Sequence, residues 1–201
     1  MKKILTALAL VSALTLTACG QVDTAASFGD TKITQAQAQA VIDEILAERD
    51  KTDITQMQLE TGNALNRSQL RFTIITSVFD EIAKELKIKV SSTEIENTRT
   101  GILEQIGGEE QLQMNLVAAQ IAPSNFERYM RATVLSNKLA GALGMAGVAE
   151  ADVQPKISEL VQKKAKQMKV SVNPRYGRWD EATTELVPED SAGDAVLPSS
   201  K

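Results

Sequence analysis

The stretch LRFTIITSVFDEIAKEL, residues 70–86, decides the fold class. Leu70, Ile74, Ile75, Val78, Phe79, Ile82, Ala83 and Leu86 recur at steps of three and four, the period of a helix that buries a wide apolar stripe. Asn66 and Gln69, three residues apart just upstream, read as its capping box. The same signature appears on both sides. Thr34 with Gln37 opens a helix to about Asp50 that turns Val41, Ile42, Ile45 and Leu46 to one face. Ser91 with Glu94 opens another through Ile95, Ile102, Leu103 and Ile106, with Val90 and Ile95 placed as a hydrophobic staple and Gly107-Gly108 as the stop.

Further along, residues 109–119 hold Leu112, Leu116 and Val117 at the spacing of a short helix. Pro123 then precedes Ser124 and Glu127, a fourth box ahead of Phe126, Met130, Val134, Leu135 and Leu139. Gly141, Gly144 and Gly147 are expected to loosen the chain before a last helix from Glu150 to Met168. Its end is basic, with Lys163, Lys164, Lys166 and Lys169, the sign favoured at a helix C-terminus.

Strand signals are confined to the two ends. Gly29-Asp30 lies between Phe28 and Ile33 as a hairpin turn, and Val170-Ser171-Val172 alternates before the turn-forming cluster Asn173 to Gly177. An isolated hairpin is marginal in water, so residues 28–33 are expected to pair with residues 170–172, with Tyr176 and Trp179 covering the apolar side near Phe28. Beyond Asp180 the chain is mostly Glu, Asp, Ser, Pro and Ala, and residues 181–201 read as a disordered tail.

The N-terminus carries a different message. Lys2 and Lys3 precede an apolar run from Ile4 to Leu16, too short to span a bilayer, and Leu16-Thr17-Ala18 then leads into the only cysteine, Cys19. This is the pattern of a bacterial lipoprotein signal. The expected organisation is a signal peptide at 1–18, a lipidated tether at 19–27, one helical domain at 28–180 and the tail. Cys19 is the expected acylation site, and the protein is expected on the extracytoplasmic face of the cell membrane, since two or more acyl chains anchor stably where one is marginal.

Composition excludes several functions. Removing Lys2 and Lys3 leaves 20 basic against 26 acidic residues, a balance that argues against a nucleic-acid partner. The chain has no histidine, so there is no Ser-His-Asp or Cys-His nucleophile system, no imidazole base and no His-containing zinc site. No catalytic residue, metal or cofactor is expected. Gly141, Gly144 and Gly147 lack the preceding strand and Lys-Ser or Lys-Thr pair of a phosphate loop. Glu94, Glu96, Glu109 and Glu110 fall at helix starts, where the backbone dipole favours carboxylates. Glu127 and Arg131 are spaced as a surface pair, and Met57, Met114 and Met145 as ordinary packing.

The order of these pieces resembles the SurA-type N-terminal chaperone domain, shared by SurA, the foldase PrsA and, more loosely, trigger factor. The match rests on Ile88-Lys89-Val90-Ser91, Glu94-Ile95-Glu96 and Ser124-Asn125-Phe126-Glu127-Arg128-Tyr129, and the closing Val172 to Gly177 with Trp179 looks like the end of actinobacterial lipoproteins of this kind. The resemblance implies a mainly α module with a small β element joining the N-terminal hairpin to the C-terminal strand. It also implies an apolar cradle for unfolded polypeptide, with Phe126, Tyr129, Met130, Tyr176 and Trp179 as possible client contacts. Relatives often carry a parvulin prolyl-isomerase domain, whose chemistry uses histidines; here there is neither the length nor the histidine for it. The expected function is a membrane-anchored, ATP-independent holdase for unfolded or secreted polypeptides. The alternative is an adaptor lipoprotein that binds one folded partner in the cell envelope.

Overall fold

The computed structural model describes residues 23–189. It opens with a hairpin of β1 (Thr24–Phe28) and β2 (Thr31–Thr34), continues through six helices, and closes with short strands. The helices are α1 (Gln35–Arg49), α2 (Gly62–Glu85), α3 (Ser92–Ile106), α4 (Leu112–Ala118), α5 (Phe126–Met145) and α6 (Glu150–Gln167). The last strands are β3 (Ser171–Val172), β4 (Arg178–Asp180) and β5 (Glu185–Val187). The mainly α expectation holds, and so does its small β element. Strand β1 lies at the centre of a sheet ordered β2-β1-β3, with Ala26 opposite Val172 and Ser27 opposite Ser171. Gly29 makes the hairpin turn at φ +52, a backbone angle that costs glycine little.

The hairpin starts earlier than the expected tether allows. Residues 24–27 belong to β1, and Ala25 and Ala26 are both fully buried. Regular alternation would expose one of two consecutive residues. A register shift between the pairs Thr24↔Thr34 and Ala26↔Ile33 inserts one extra residue and lets both methyl groups face inward.

Two of the capping boxes form as read. Thr34 accepts from the Gln37 N–H while the Gln37 side chain accepts from the Thr34 N–H, and Ser91 and Glu94 do the same. The other two do not. Helix α2 begins at Gly62, so Asn66 lies inside it. Ser124 lies in a single 3-10 turn before α5, and its N–H and hydroxyl both donate to Glu44 of α1. Helix α5 also runs straight through Gly141 and Gly144; only Gly147, at φ +84, breaks the chain.

Helix α2 packs against α1, α5 and α6 and contributes to two of three cores. The main one joins Phe28, the α2 residues Leu70, Ile74 and Val78, and Ile157 and Val161 of α6 to Tyr176, Trp179 and Leu186. Burial of side chains such as Phe28 and Ile74 contributes about 1.5–3 kcal/mol each. Ile42, Ile45, Leu65 and Ala122 form a second core, and Leu116, Phe126 and Met130 a third, against which Ile95 and Ile102 of α3 rest.

The ordered chain continues past the expected boundary at residue 180. Strand β5 pairs antiparallel with β4, and Leu186, 6% exposed, sits in the main core. Its polar neighbours hid it: Thr184 and Leu186 are buried in alternation while residues 181–183 and 185 face outward, so mean composition reads as tail where a strand exists. The expected signal peptide at 1–18, Cys19 and the end of the chain from residue 190 lie outside the described residues. No helix among the described residues is long and apolar enough to cross a membrane.

Candidate functional site

Helix α2 carries more apolar surface than one core can cover. Leu70, Ile74 and Val78 point into the main core, Ile75 and Phe79 pack against its edge and stay partly exposed, and Phe72, also partly exposed, belongs to none of the three cores. Phe72 and Ile75 floor a cleft of about 310 Å³. Ala119, Gln120 and Ile121 form its wall, and Glu60, Ser68 and Arg71 lie along it.

The wall is the end of α4. Ile121 N–H donates to Leu116 O at 2.9 Å and Gln120 N–H to Val117 O at 3.1 Å, the two bonds of a Schellman stop. That stop needs a left-handed residue, normally glycine, yet here Gln120 takes φ +57. Its side chain explains the choice. Gln120 Oε1 accepts from the Glu60 N–H and from Arg49 Nη2, both at 2.9 Å, while its backbone O accepts from Gln69 Nε2 at 2.9 Å. Arg49 Nη1 donates to Glu60 O at 2.8 Å. Together Arg49 and Gln120 hold the end of the 50–61 connection against the cleft. Arg49 is itself buried and its Nε has no partner among the described residues. Burial pulls its guanidinium below the ordinary arginine value, and the nearby Glu60 carboxylate opposes the change.

Arg71 ties the cleft to the C-terminal hairpin, pairing with Glu185 at 2.7 Å and donating to Thr184 O at 3.0 Å. On the side of α5, Arg131 pairs with Asp80 of α2 at 2.7 Å. The pairing expected between Arg131 and Glu127 is replaced by this longer-range one, which joins two helices where the local pair would decorate one.

Helix α3 is fixed from α5. Lys138 pairs with Glu94 at 2.6 Å and donates to Lys89 O at 2.7 Å. The Lys138 bond, followed by those from the Ser91 backbone and hydroxyl, holds the Glu94 carboxyl down at about 2. Arg99 reaches Glu109 with both carboxylate oxygens at 2.7 Å. Glu94, Glu109 and Glu110 thus serve helix starts or ion pairs, Glu96 lies past the first turn of α3, and no group of three or more Cys, Asp or Glu among the described residues is arranged to hold a metal ion.

The five residues proposed as client contacts do not converge. Phe126 and Met130 are buried in the third core, Tyr176 and Trp179 in the main core, and only Tyr129, 37% exposed, meets solvent. Their spacing marked packing. Tyr176 and Trp179 do cover the hairpin near Phe28, as their structural reading expects. Reading residues missed Phe72, Gln120 and Ile121. An apolar residue off the Leu70–Ile74–Val78 stripe was the available signal for Phe72; for Gln120 there was none, because its partners are distant in sequence.

Comparison with known proteins adds one finding. The family model described as the SurA-like N-terminal domain matches residues 2–140, ending inside α5, so that α6 and the closing strands lie beyond it. No curated protein and no solved structure matches the chain.

Proposed function

Because the chain belongs to the SurA-like N-terminal domain family, whose module is chaperone-type, we propose that it is a membrane-anchored, ATP-independent holdase for unfolded polypeptide in the cell envelope. The observation that carries this reading is the cleft over Phe72 and Ile75. An apolar floor takes side chains without regard to their order, since burial is non-directional. Glu60 and Arg71 bring both signs of charge to the same cleft, so neither acidic nor basic segments are turned away. Such a surface suits many weak contacts with different chains and has no group placed to break or form a bond. The anchor in this reading is an acylated Cys19, followed by a short connection to β1.

The test is aggregation of several unrelated unfolded proteins in the presence of the chain from residue 20 onward. Suppression at near-stoichiometric ratios is expected, and Phe72→Ser should weaken it with an unchanged melt, because Phe72 belongs to none of the three cores. No suppression by the unaltered chain rejects the holdase; full suppression by Phe72→Ser rejects the cleft. Cys19→Ser should lose both fatty-acid labelling and membrane retention, and labelling that survives the substitution rejects the anchor.

A further inference from the structure

On the other side of Gln69 lies a second cleft of about 270 Å³, enclosed by the β1–β2 hairpin, α1, α2 and the first turn of α5. The partly exposed Ala38 and Val41 give it an apolar wall over the buried Phe28 and Ile33, and Asn125 and the exposed Arg128 line its α5 side. No aspartate or glutamate lines it.

Arg128 is exposed on α5 and, unlike three arginines of the helical core, is not ion-paired among the described residues. Arg71, Arg99 and Arg131 each meet a carboxylate at 2.7 Å. Arg128 meets none within ion-pair distance among the described residues and reaches only the hydroxyls of Thr76 and Ser77, at 3.3 and 3.4 Å. Both hydroxyls already donate to backbone carbonyls of α2, so they offer the guanidinium only long, weak acceptors. Asn125 Nδ2 is buried in the same region and has no acceptor among the described residues. A buried donor without a partner is costly, and here it lines the same cleft as the Arg128 guanidinium. Glu44 of α1 is occupied by the N–H and hydroxyl of Ser124.

We propose that this cleft is a subsite for a carboxylate carried on a polypeptide, with Arg128 pairing to it and Asn125 Nδ2 donating to one of its oxygens. The apolar wall selects a carboxylate attached to a chain over a small inorganic anion, which would leave the partly exposed Ala38 and Val41 uncovered. The inference rests on the holdase reading and deepens it: the first cleft holds apolar side chains, and the second orients the client by an acidic group. Either a chain end or an Asp or Glu side chain supplies that chemistry.

Fluorescence anisotropy with the full-length chain in detergent tests it, using three labelled octapeptides of one apolar sequence: the free C-terminal acid, the C-terminal amide, and the amide with one internal aspartate. The acid or the aspartate peptide is expected to bind about tenfold tighter than the plain amide, the gain for one charge-assisted contact. Which of the two gains identifies the source. Arg128→Gln should remove the preference, and Asn125→Asp should reverse it by placing an anion in the cleft while keeping a good helix-start residue. Equal affinity for all three peptides, or no binding of any, overturns the subsite, as does a preference that survives Arg128→Gln in a protein with an unchanged melt. Acid-selective binding without aggregation suppression would instead reject the holdase and leave the subsite standing.

Discussion

Gly177 lies directly beneath the backbone carbonyl of Val187: a Cβ at position 177 would come within 2.2 Å of that oxygen. The contact locks β5 onto the turn before β4, and Gly177 also has φ +112, where side chains are strained. Gly177→Ala should therefore cost at least about 2 kcal/mol from the clash and the backbone together. For a domain of this size that is a fall of roughly 4–8 °C in Tm. A melt indistinguishable from the unaltered chain would show that the two segments part easily.

Truncation after Asp180 should destabilise, where a tail beginning at 181 would have made it silent. It removes Leu186 from the main core, worth about 1.5–3 kcal/mol, and takes away the Glu185 partner of Arg71. Truncation after Met168 removes Tyr176 and Trp179 as well and leaves β1 without β3, so it should abolish cooperative melting. Circular dichroism melts of the two truncated chains give the ranking, and a Met168 truncation that melts like the full chain contradicts the closed sheet.

Gln120→Ala keeps the left-handed strain and deletes the acceptor shared by Arg49 and Glu60, leaving a buried guanidinium short of a partner. A loss of about 1–3 kcal/mol is expected. Gln120→Gly deletes the same acceptor but relieves the φ +57 conformation, so its loss should be smaller by about 1 kcal/mol. Denaturant titrations that place the two variants together would mean the strain is absent.

The Glu94 carboxyl is held at about 2, below its ordinary 4.5. A folded-state value below the unfolded one means the carboxylate stabilises fully above 4.5 and loses its contribution as pH falls from 4.5 to 2. Glu94→Gln retains a residue able to close the capping box, so it isolates the charge. The stability difference between the unaltered chain and this variant should shrink across that interval and be insensitive to pH above it. A difference constant from pH 6 to pH 2 would exclude the Lys138 pair as its cause.

Helices α1 and α3 were legible because their capping boxes close within four residues. Ser124 and Glu127 have the same spacing, but Glu44 from another helix captures the Ser124 donors, and no local pattern anticipates a competitor 80 positions away. Similarly, Arg131 turns from Glu127 to Asp80 across the α2–α5 contact. The cleft stayed hidden for the same reason: Gln120 matters only once Arg49, Glu60 and Gln69 have been brought to it. Apolar periodicity marks what will be buried. It does not say which apolar residue of a helix stays outside the cores, as the buried Leu70 and the partly exposed Phe72 illustrate.

Strand β1 is the middle strand of its sheet, yet Asn173, which ties its start through the Thr24 carbonyl, lies 149 positions downstream. A chain emerging N-terminus first can close the β1–β2 turn and wind α1 and α2 early, but one edge of β1 stays open until nearly the whole domain has appeared. Contacts of this separation slow folding, because the loop entropy is lost before the contact forms. A member of a chaperone-type family therefore passes through a long unfinished interval of its own, with an exposed strand edge waiting for residues 171–173.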